Sequence, residues 1–261
     1  MKNCLVKIVF VVILLSIVSC STAYRNTVTQ ISTIDAILAG AYDGAMTLCE
    51  LATYGNFGIG TFDKLDGEMI LLDGTFFQIK GNGIVFIPET TLKTPFASVV
   101  QFEKDRTIKL PAGINYMAFK NIVDEKVPTM NVFCAVKVTG TFRTMKTRSV
   151  PAQKKPYPPL TEVTKHQAVF DLENVSGTIV GFRSPAYVQG INVPGYHMHF
   201  ISDDFSSGGH ILAFELEAGT ADIDICNRFL MILPEGTHAF NRINLGIDRS
   251  KDLDKAERQV H

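Results

Sequence analysis

The sequence has almost no excess charge, few cysteines and no long apolar run after its first twenty residues. Its 25 Lys and Arg side chains nearly balance 26 Asp and Glu side chains, which gives a formal net charge of -1. No stripe of basic residues alternates with aromatic ones, so nucleic acid is not expected as a partner. At 261 residues, the chain is long enough for one large domain or two modest ones.

The chain has too few cysteines for disulfide bonds to be the main stabilisation of the fold. Beyond the N-terminal segment the chain has only Cys49, Cys134 and Cys226, and three thiols cannot all pair. Each of them has an apolar neighbour in the sequence. We therefore predict buried thiols that pack as small hydrophobic side chains, and no required disulfide.

The N-terminus has the composition of an export signal. Two lysines precede an apolar run at residues 8–18, which is too short to span a bilayer comfortably. The sequence Ile-Val-Ser-Cys that ends at Cys20 resembles a bacterial lipoprotein box and predicts that Cys20 is lipidated and becomes the mature N-terminus. The alternative is an ordinary signal peptide that is cut at Ser19 or near Ala23. Both interpretations predict export to the periplasm or cell surface, and only the lipoprotein interpretation adds membrane contact, through a lipid anchor.

Three of the six histidines lie close together in the sequence. His197 and His199 alternate with apolar residues, so both side chains leave one face of a predicted strand, with Cα atoms roughly 7 Å apart. A turn-rich segment follows, and His210 then opens a second apolar run, so a hairpin would bring it opposite the pair. Three imidazoles with an open position are typical of a catalytic zinc site, although they accept other divalent ions. The alternative is three buried strand histidines without a metal.

Turn and cap signals predict an α+β fold. Asp-Gly and Asn-Gly pairs between apolar runs predict a meander of strands at 68–72, 75–79 and 84–87. Thr33 is placed to cap a short helix, and Asn115 to cap a longer one. The fold class that we predict is two β-rich domains with mixed sheets and a few short helices.

The Pro-rich segment at residues 151–159 marks the predicted domain boundary, because four prolines in nine residues cannot form the centre of a sheet. The predicted divisions are a signal peptide at 1–20, a tether at 21–30, an N-terminal β-rich domain at 31–150, a C-terminal metal-binding domain at 151–247 and a charged tail at 248–261. Taken alone, the tail is typical of a solvated terminus.

Several separate blocks agree in order and spacing with one family of bacterial enzymes. They are Asp66-Gly-Glu-Met69, Lys93-Thr-Pro-Phe96, Val138-Thr-Gly-Thr-Phe142, Pro156-Tyr-Pro158, Leu160-Thr-Glu-Val163, Asn192-Val-Pro-Gly-Tyr-His-Met-His-Phe200 and Ser207-Gly-Gly-His210. From about Ile31 to the tail, the chain closely resembles bacterial α-acetolactate decarboxylases. The resemblance implies a zinc-dependent lyase that converts 2-acetolactate to acetoin and carbon dioxide, and it suggests a homodimer.

The resemblance also assigns site residues. It implies His197, His199 and His210 as zinc ligands, Glu68 as the first catalytic glutamate and Arg148 as the active-site arginine, with Thr61 on the substrate side and Glu257 in the tail as the second catalytic glutamate. The sequence around Glu257 departs from the family pattern. Because Glu68 and Arg148 precede the Pro-rich segment and the histidines follow it, the metal site is predicted to lie between the two domains.

The chemistry of 2-acetolactate gives these residues consistent roles. A zinc ion that chelates the ketone and hydroxyl oxygens would stabilise the enediolate left by loss of carbon dioxide, so neither thiamine diphosphate nor pyridoxal phosphate is expected. Arg148 can hold the carboxylate or steady developing negative charge. Glu68 or Glu257 would deliver a proton to carbon.

Two other functions remain as alternatives. A cupin-like metal enzyme would need a glutamate where Asp203 stands, and the Pro-Glu-Gly-Thr-His block at 234–238 is one residue short of the cupin pattern. A non-catalytic metal-binding surface lipoprotein would need neither Glu68 nor Arg148.

Overall fold

The structure is a computed structural model that describes residues 24–258, without the side chains of His238 and Arg258. The predicted signal peptide and Cys20 lie outside these residues. Within them, no helix is both long enough and apolar enough to cross a membrane.

A seven-stranded mixed sheet forms one half of the molecule. Numbered in chain order, its strands are β1 (Thr27–Ile31), β3 (Phe57–Thr61), β4 (Glu68–Leu72), β5 (Thr75–Ile79), β6 (Val85–Phe86), β8 (Ala97–Val100) and β15 (Arg228–Ile232). Their order across the sheet is β15-β1-β8-β3-β4-β5-β6. The β15–β1 pair is parallel and the other pairs are antiparallel. The predicted meander is confirmed in β4, β5 and β6. A separate two-stranded ribbon pairs β2 (Met46–Thr47) with β7 (Lys93–Thr94).

A six-stranded antiparallel sheet carries the histidines. Its strands are β9 (Arg106–Leu110), β10 (Ile114–Asn115), β11 (Phe133–Ser149), β12 (Ala168–Ser184), β13 (Gly195–Ser202) and β14 (Gly208–Cys226). β11 lies between β12 and β14, and β13 pairs with both β12 and the first residues of β14. The pairings among these four long strands therefore form a closed ring, which brings the start of β14 between the ends of β11 and β13.

Six short α-helices complete the fold of residues 24–258. They are α1 (Ile34–Leu38), α2 (Leu48–Leu51), α3 (Tyr116–Lys126), α4 (Leu160–Val163), α5 (His238–Arg242) and α6 (Ser250–Arg258). Both predicted caps are present: the Thr33 side chain accepts from the Ala36 N–H, and the Asn115 side chain accepts from the Ala118 N–H. Three 3-10 turns lie at Asp63–Leu65, Thr164–His166 and Ala186–Val188.

The two sheets share one apolar core. Residues from the first sheet, such as Ile59 and Ile79, belong to the same buried cluster as Val180 and Ile201 from the second. Another cluster packs α3 against the six-stranded sheet. A third joins α1, α4 and α6 and includes Phe96. This helical cluster covers the edge where the two sheets meet.

The sheets do not follow the predicted boundary between residues 150 and 151. β11, placed by prediction in the N-terminal domain, is a central strand of the second sheet, and β15 returns to the first sheet. The Pro-rich segment connects β11 to β12, which are neighbouring strands of one sheet, so it does not link two separate units. Residues 31–150 and 151–247 are therefore not separate units of sheet structure.

The predicted tether at 21–30 is wrong for Thr27–Gln30, which belong to β1. Val28 is fully buried, and the Gln30 side-chain amide donates to the carbonyls of Ser32 and Ile191. The parallel partner of β1 is β15, near the other end of the chain, so no local pattern indicated which strand β1 would join.

The three cysteines within residues 24–258 are free thiols, and two of them are buried. Cys134 and Cys226 are the buried pair, as predicted. Cys49 is exposed, against the prediction, because Leu48 and Leu51 occupy the inner face of α2.

Candidate active site

The three histidines converge at the junction of β13 and β14. His199 lies directly opposite His210 across these strands, and His197 leaves the same face of β13 two residues earlier. One ligand atom from each ring lies within 4.8 Å of the other two. The structure thus brings together the three residues that the alternation and the turn predicted.

Gly209 makes this close arrangement possible. Its φ is +133°, and a Cβ at this position would lie 2.5 Å from the Arg148 carbonyl oxygen. Only glycine accepts that backbone approach without displacing a neighbour. Its small size lets His210 sit beside Arg148 on β11 and His199 on β13 at once.

The tautomer of His199 is fixed by the first sheet. Its Nδ1 lies 2.9 Å from the Met69 carbonyl oxygen on β4 and must donate to it, because a carbonyl only accepts. The Nε2 lone pair then faces the other two rings. This Nε2 atom is buried and has no hydrogen-bond partner among the described residues. A hydrogen bond from the distal ring nitrogen to a carbonyl is the usual support of a metal-bound imidazole.

Burial keeps all three imidazoles neutral. Burial, and after it the positive charge of Arg148, lowers the pKa of His197 to about 3. The pKa values of His199 and His210 also lie well below the usual range, again mainly because of burial. Neutral imidazole is the form that binds metal ions, so the donor set, its spacing and the orphaned His199 Nε2 fit a divalent ion such as zinc.

Glu68 reaches the histidines from the first sheet. It begins β4, and its Oε2 lies 3.5 Å from His199 Nε2. The residue is 7% exposed, and burial raises the pKa of its carboxyl to about 7. The negative charge of Glu257 adds to this rise in pKa, and the Arg148 charge opposes it. Near neutral pH, Glu68 can therefore carry the proton that a general acid needs.

Arg148 and Glu257 complete the polar cluster. Arg148 lies opposite His210 on β11, and its Nη2 is 3.5 Å from Glu257 Oε1. Glu257 Oε2 lies 3.6 Å from His197 Nε2 and 3.7 Å from His210 Nε2. The His210 ring also hydrogen-bonds the backbone of Glu257. Because the histidines are neutral, their contacts with Glu257 are polar contacts and not ion pairs, whereas Arg148 and Glu257 form an ion pair.

The charged tail is not a solvated terminus over residues 250–257. It forms α6, whose Leu253 and Ala256 are buried in the cluster with α1 and α4. Their packing turns Glu257 towards the histidines, where its side chain is only 7% exposed. The apolar pair Leu253 and Ala256 is the sequence signal that a docked helix was present.

Thr61 lies beside Glu68 and orders the turn before it. Thr61 pairs with Glu68 across β3 and β4, and its hydroxyl donates to the Gly67 carbonyl at 2.7 Å. That carbonyl belongs to the residue before Glu68. Thr61 therefore helps to fix where the Glu68 carboxyl points.

All seven residues predicted for the active site line one small pocket. Sequence reasoning missed its apolar walls, which are Ile34, Ile37, Leu65, Phe96, Val150 and Leu160. Phe96 and Leu160 lie in blocks that carried the family resemblance, but apolar side chains gave no chemical reason to single them out. The Met69 carbonyl was missed because a backbone group has no sequence signal.

The cupin-like alternative gains no support from Asp203. This residue is exposed in the turn between β13 and β14, away from the pocket lining. The carboxylates near the histidines come instead from β4 and α6.

Known proteins with similar sequences and a similar fold identify the family. A sequence model described as alpha-acetolactate decarboxylase matches residues 28–246. Over 229 residues the chain is 49% identical to the alpha-acetolactate decarboxylase of Methanosarcina mazei, covering 88% of this chain and 79% of that protein. The Methylococcus capsulatus protein of the same name is 45% identical over 228 residues, or 87% of each chain. The crystal structure of the Bacillus subtilis strain 168 enzyme matches with a TM-score of 0.87 and 39% identity, covering 89% of this chain and 100% of that one. The chain therefore belongs to the alpha-acetolactate decarboxylase family.

Proposed function

We propose that this chain is a zinc-dependent carboxy-lyase that converts 2-acetolactate to acetoin and carbon dioxide. The observation that carries the proposal is the convergence of Glu68, Arg148 and Glu257 on three neutral, buried histidines. Metal storage would need the histidines alone. The added arginine and two glutamates are what a decarboxylation needs to hold a carboxylate and to move a proton.

His197, His199 and His210 would hold the metal through their ring nitrogens. When bound, the ion supplies a Lewis acid for the ketone and hydroxyl oxygens of the substrate. The Met69 carbonyl keeps His199 in the required tautomer and orientation. Arg148 lowers the pKa of all three rings and so helps to keep them unprotonated.

Arg148 would orient the substrate carboxylate. Its side chain is 4% exposed, and its Nε has no hydrogen-bond partner among the described residues. A buried guanidinium with an unused donor favours a charge-assisted contact with a carboxylate. During the reaction the bond between this carboxylate and the carbon chain breaks, and the electron pair stays on the chain, where the same positive charge can steady it.

Glu68 is the better placed of the two glutamates to deliver the proton that carbon then takes up. Its raised pKa of about 7 leaves a large share of the carboxyl protonated at neutral pH. Its strand is held on both sides, by β3 and β5, and Thr61 orders the turn before it. A fixed acid on one side of the substrate would set one enantiomer of acetoin.

The apolar walls would keep water from the reacting carbon. Phe96, Val150 and Leu160 are each no more than 4% exposed and face the pocket. Excluding water strengthens the contacts of Arg148 and both glutamates, because charges interact more strongly in an apolar surrounding.

An acetolactate assay with and without a chelator tests the proposal. We expect the purified, zinc-loaded protein to release acetoin and carbon dioxide, and the chelator-treated protein to stop and to recover when zinc is restored. Folded, metal-loaded protein that makes no acetoin would exclude the decarboxylase and leave the non-catalytic metal-binding alternative. Activity that survives complete metal removal would contradict the role of zinc.

We also propose that the chain is exported, anchored through a lipid on Cys20, and dimeric. Export and lipidation rest on the composition of residues 1–20, and the dimer rests on family resemblance. Mass spectrometry of the mature N-terminus tests the lipid, and light scattering tests the dimer. An unmodified N-terminus beyond Cys20 would favour the ordinary signal peptide.

A further inference from the structure

Two cavities meet at His210 and Glu257. The inner pocket around the histidines has a volume of about 40 Å³. An outer cleft of about 540 Å³ lies between α3 and the first residues of β13 and β14. His210 and Glu257 line both cavities, so these two side chains form the wall between them.

The inner pocket is too small for the proposed substrate. A single water needs about 10 to 15 Å³ of cavity volume, so the pocket has room for about three waters. A five-carbon hydroxy keto acid is several times larger. Since Glu68, Arg148 and the histidines are all buried and the pocket is this small, we expect part of its wall to move when substrate enters.

The helix α6 is the part of the wall that can move at least cost. His210 lies in a strand that pairs on both sides, with β11 and β13, so its displacement would break two ladders. Glu257 lies on a short terminal helix that is held mainly by the burial of Leu253 and Ala256. Elements with few buried apolar contacts open locally before the sheets that support them.

The outer cleft has the polar groups to receive a small carboxylate. Lys120 on α3 and Arg183 on β12 bring two positive charges to its lining, and Asp124 and Glu257 bring two negative charges. Arg183 is fully buried, and its Nε has no hydrogen-bond partner among the described residues, although Asp124 Oδ1 lies 3.7 Å away. Asp124 also accepts from the Tyr196 hydroxyl at 2.8 Å, so its negative charge is shared.

We propose that this cleft is the entry site for the small hydroxy keto acid, and that outward movement of α6 joins it to the metal pocket. The inference rests on the proposed function for the identity of the ligand. With α6 moved outward, Glu257 leaves Arg148, and the two cavities become one space in which the substrate can reach the histidines. The helix α6 and its residue Glu257 therefore act together as one gate.

Narrowing the cleft tests the route. Met117 is 59% exposed on α3, and Asn121 is exposed one turn later; both line the cleft. We expect Met117→Trp together with Asn121→Trp to lower kcat/KM for acetolactate at least about fivefold, mainly through association, with kcat little changed. Met231→Trp is the matched control, because Met231 is 37% exposed on β15 and is absent from the cleft lining.

A second readout does not depend on turnover. Dipicolinate is a small planar dicarboxylate chelator that removes zinc from the loaded protein. The part of the removal rate that increases with dipicolinate concentration measures how easily the chelator reaches the site. The double Trp variant should slow this part at least about fivefold. Leu253→Ala should speed it at least about tenfold, because α6 loses its most buried contact.

The outcomes separate the route from the reaction. If the wild type makes no acetoin, the proposed function fails, while the chelator rates still test the route. If the wild type is active but the double Trp variant matches Met231→Trp in both readouts, the entry site is elsewhere. If Leu253→Ala leaves the chelator-dependent rate unchanged, α6 is not the gate. Circular dichroism and zinc content confirm that each variant is folded and loaded before it is compared.

Discussion

Arg148→Ala separates catalysis from metal binding. The arginine is 3% exposed, and its Nη2 lies 3.5 Å from Glu257 Oε1. Its side chain is not among the groups that would bind the metal, which are the ring nitrogens of the three histidines. Its positive charge lowers the pKa of His197, His199 and His210. The same charge repels a divalent cation, so its removal should leave zinc affinity unchanged or increase it.

The loss of activity can be estimated from the contacts that Arg148 would make. A hydrogen bond to a charged group contributes about 1.5 to 3 kcal/mol, so losing a two-pronged contact to the substrate carboxylate costs about 3 kcal/mol or more. Since each 1.36 kcal/mol changes a rate about tenfold, kcat/KM should fall at least about 100-fold. Arg148→Lys keeps the charge but loses the fork, so an intermediate loss is expected.

The assay compares acetoin release and bound zinc in the same preparations. Arg143→Ala is the matched control, because Arg143 lies on the same strand, is 60% exposed and pairs with Glu215 at 3.2 Å. It should retain normal activity, since an exposed ion pair contributes little. Near-normal kcat/KM in Arg148→Ala would refute the role in substrate binding, and loss of zinc from that variant would refute the separation of roles.

Three further predictions concern the metal, the tail and an acid outside the site. His199→Ala should weaken zinc binding at least about 100-fold, measured by competition with a chelating dye, and stoichiometric zinc in that variant would rule out the ligand set. Truncation after Asp254 removes Glu257, so acetoin release should nearly vanish while the melting temperature falls by only a few degrees; full activity would contradict the role of the tail. Burial raises the pKa of Asp224 from 3.8 to about 6, so its ionised form is disfavoured in the fold and the free energy of unfolding should fall, by at most about 3 kcal/mol, as pH rises through this window. In urea titrations, the free energy of unfolding of Asp224→Asn should change less with pH over this range than that of the wild type. If it changes as much as in the wild type, another group is responsible.

The parts of the fold that could be predicted are those set by neighbouring residues. The Asp-Gly turns at 66–67 and 73–74 border β4 and β5, and Asn115 caps α3, because turn and cap preferences act over a few residues. The alternation around His197 and His199 gave their common face for the same reason.

Long-range pairing could not be predicted in this way. β1 pairs with β15 near the other end of the chain, and nothing in Thr27–Ile31 specifies that partner. The ladder between β11 and β12 passes over the Pro-rich connection that local composition suggested as a boundary. In both cases apolar and β-branched residues favour a strand, while burial against a distant element decides which sheet it joins.

The residues of the candidate site also differ in whether local sequence could predict them. The hairpin histidines could be found from spacing, but Glu68, Arg148 and Glu257 are common residue types on a strand or a helix, and only the family resemblance selected them. Their convergence depends on β11 and β14 being neighbours and on α6 docking over α1 and α4. The first feature has no local signature in the sequence, and the only local signal of the second is the apolar pair Leu253 and Ala256.

The two glutamates differ in what holds them, and this difference favours separate roles. Glu68 lies on a strand paired on both sides, and its neighbour Met69 supports His199, so the acid and the metal ligand are fixed to one another. Glu257 lies on a terminal helix, and its contacts with Arg148 and His197 can form only when that helix is docked. A proton delivered to one face of carbon needs a donor in constant position, which favours Glu68. A residue that must leave for substrate to enter and return to complete the polar cluster needs a mobile support, which favours Glu257.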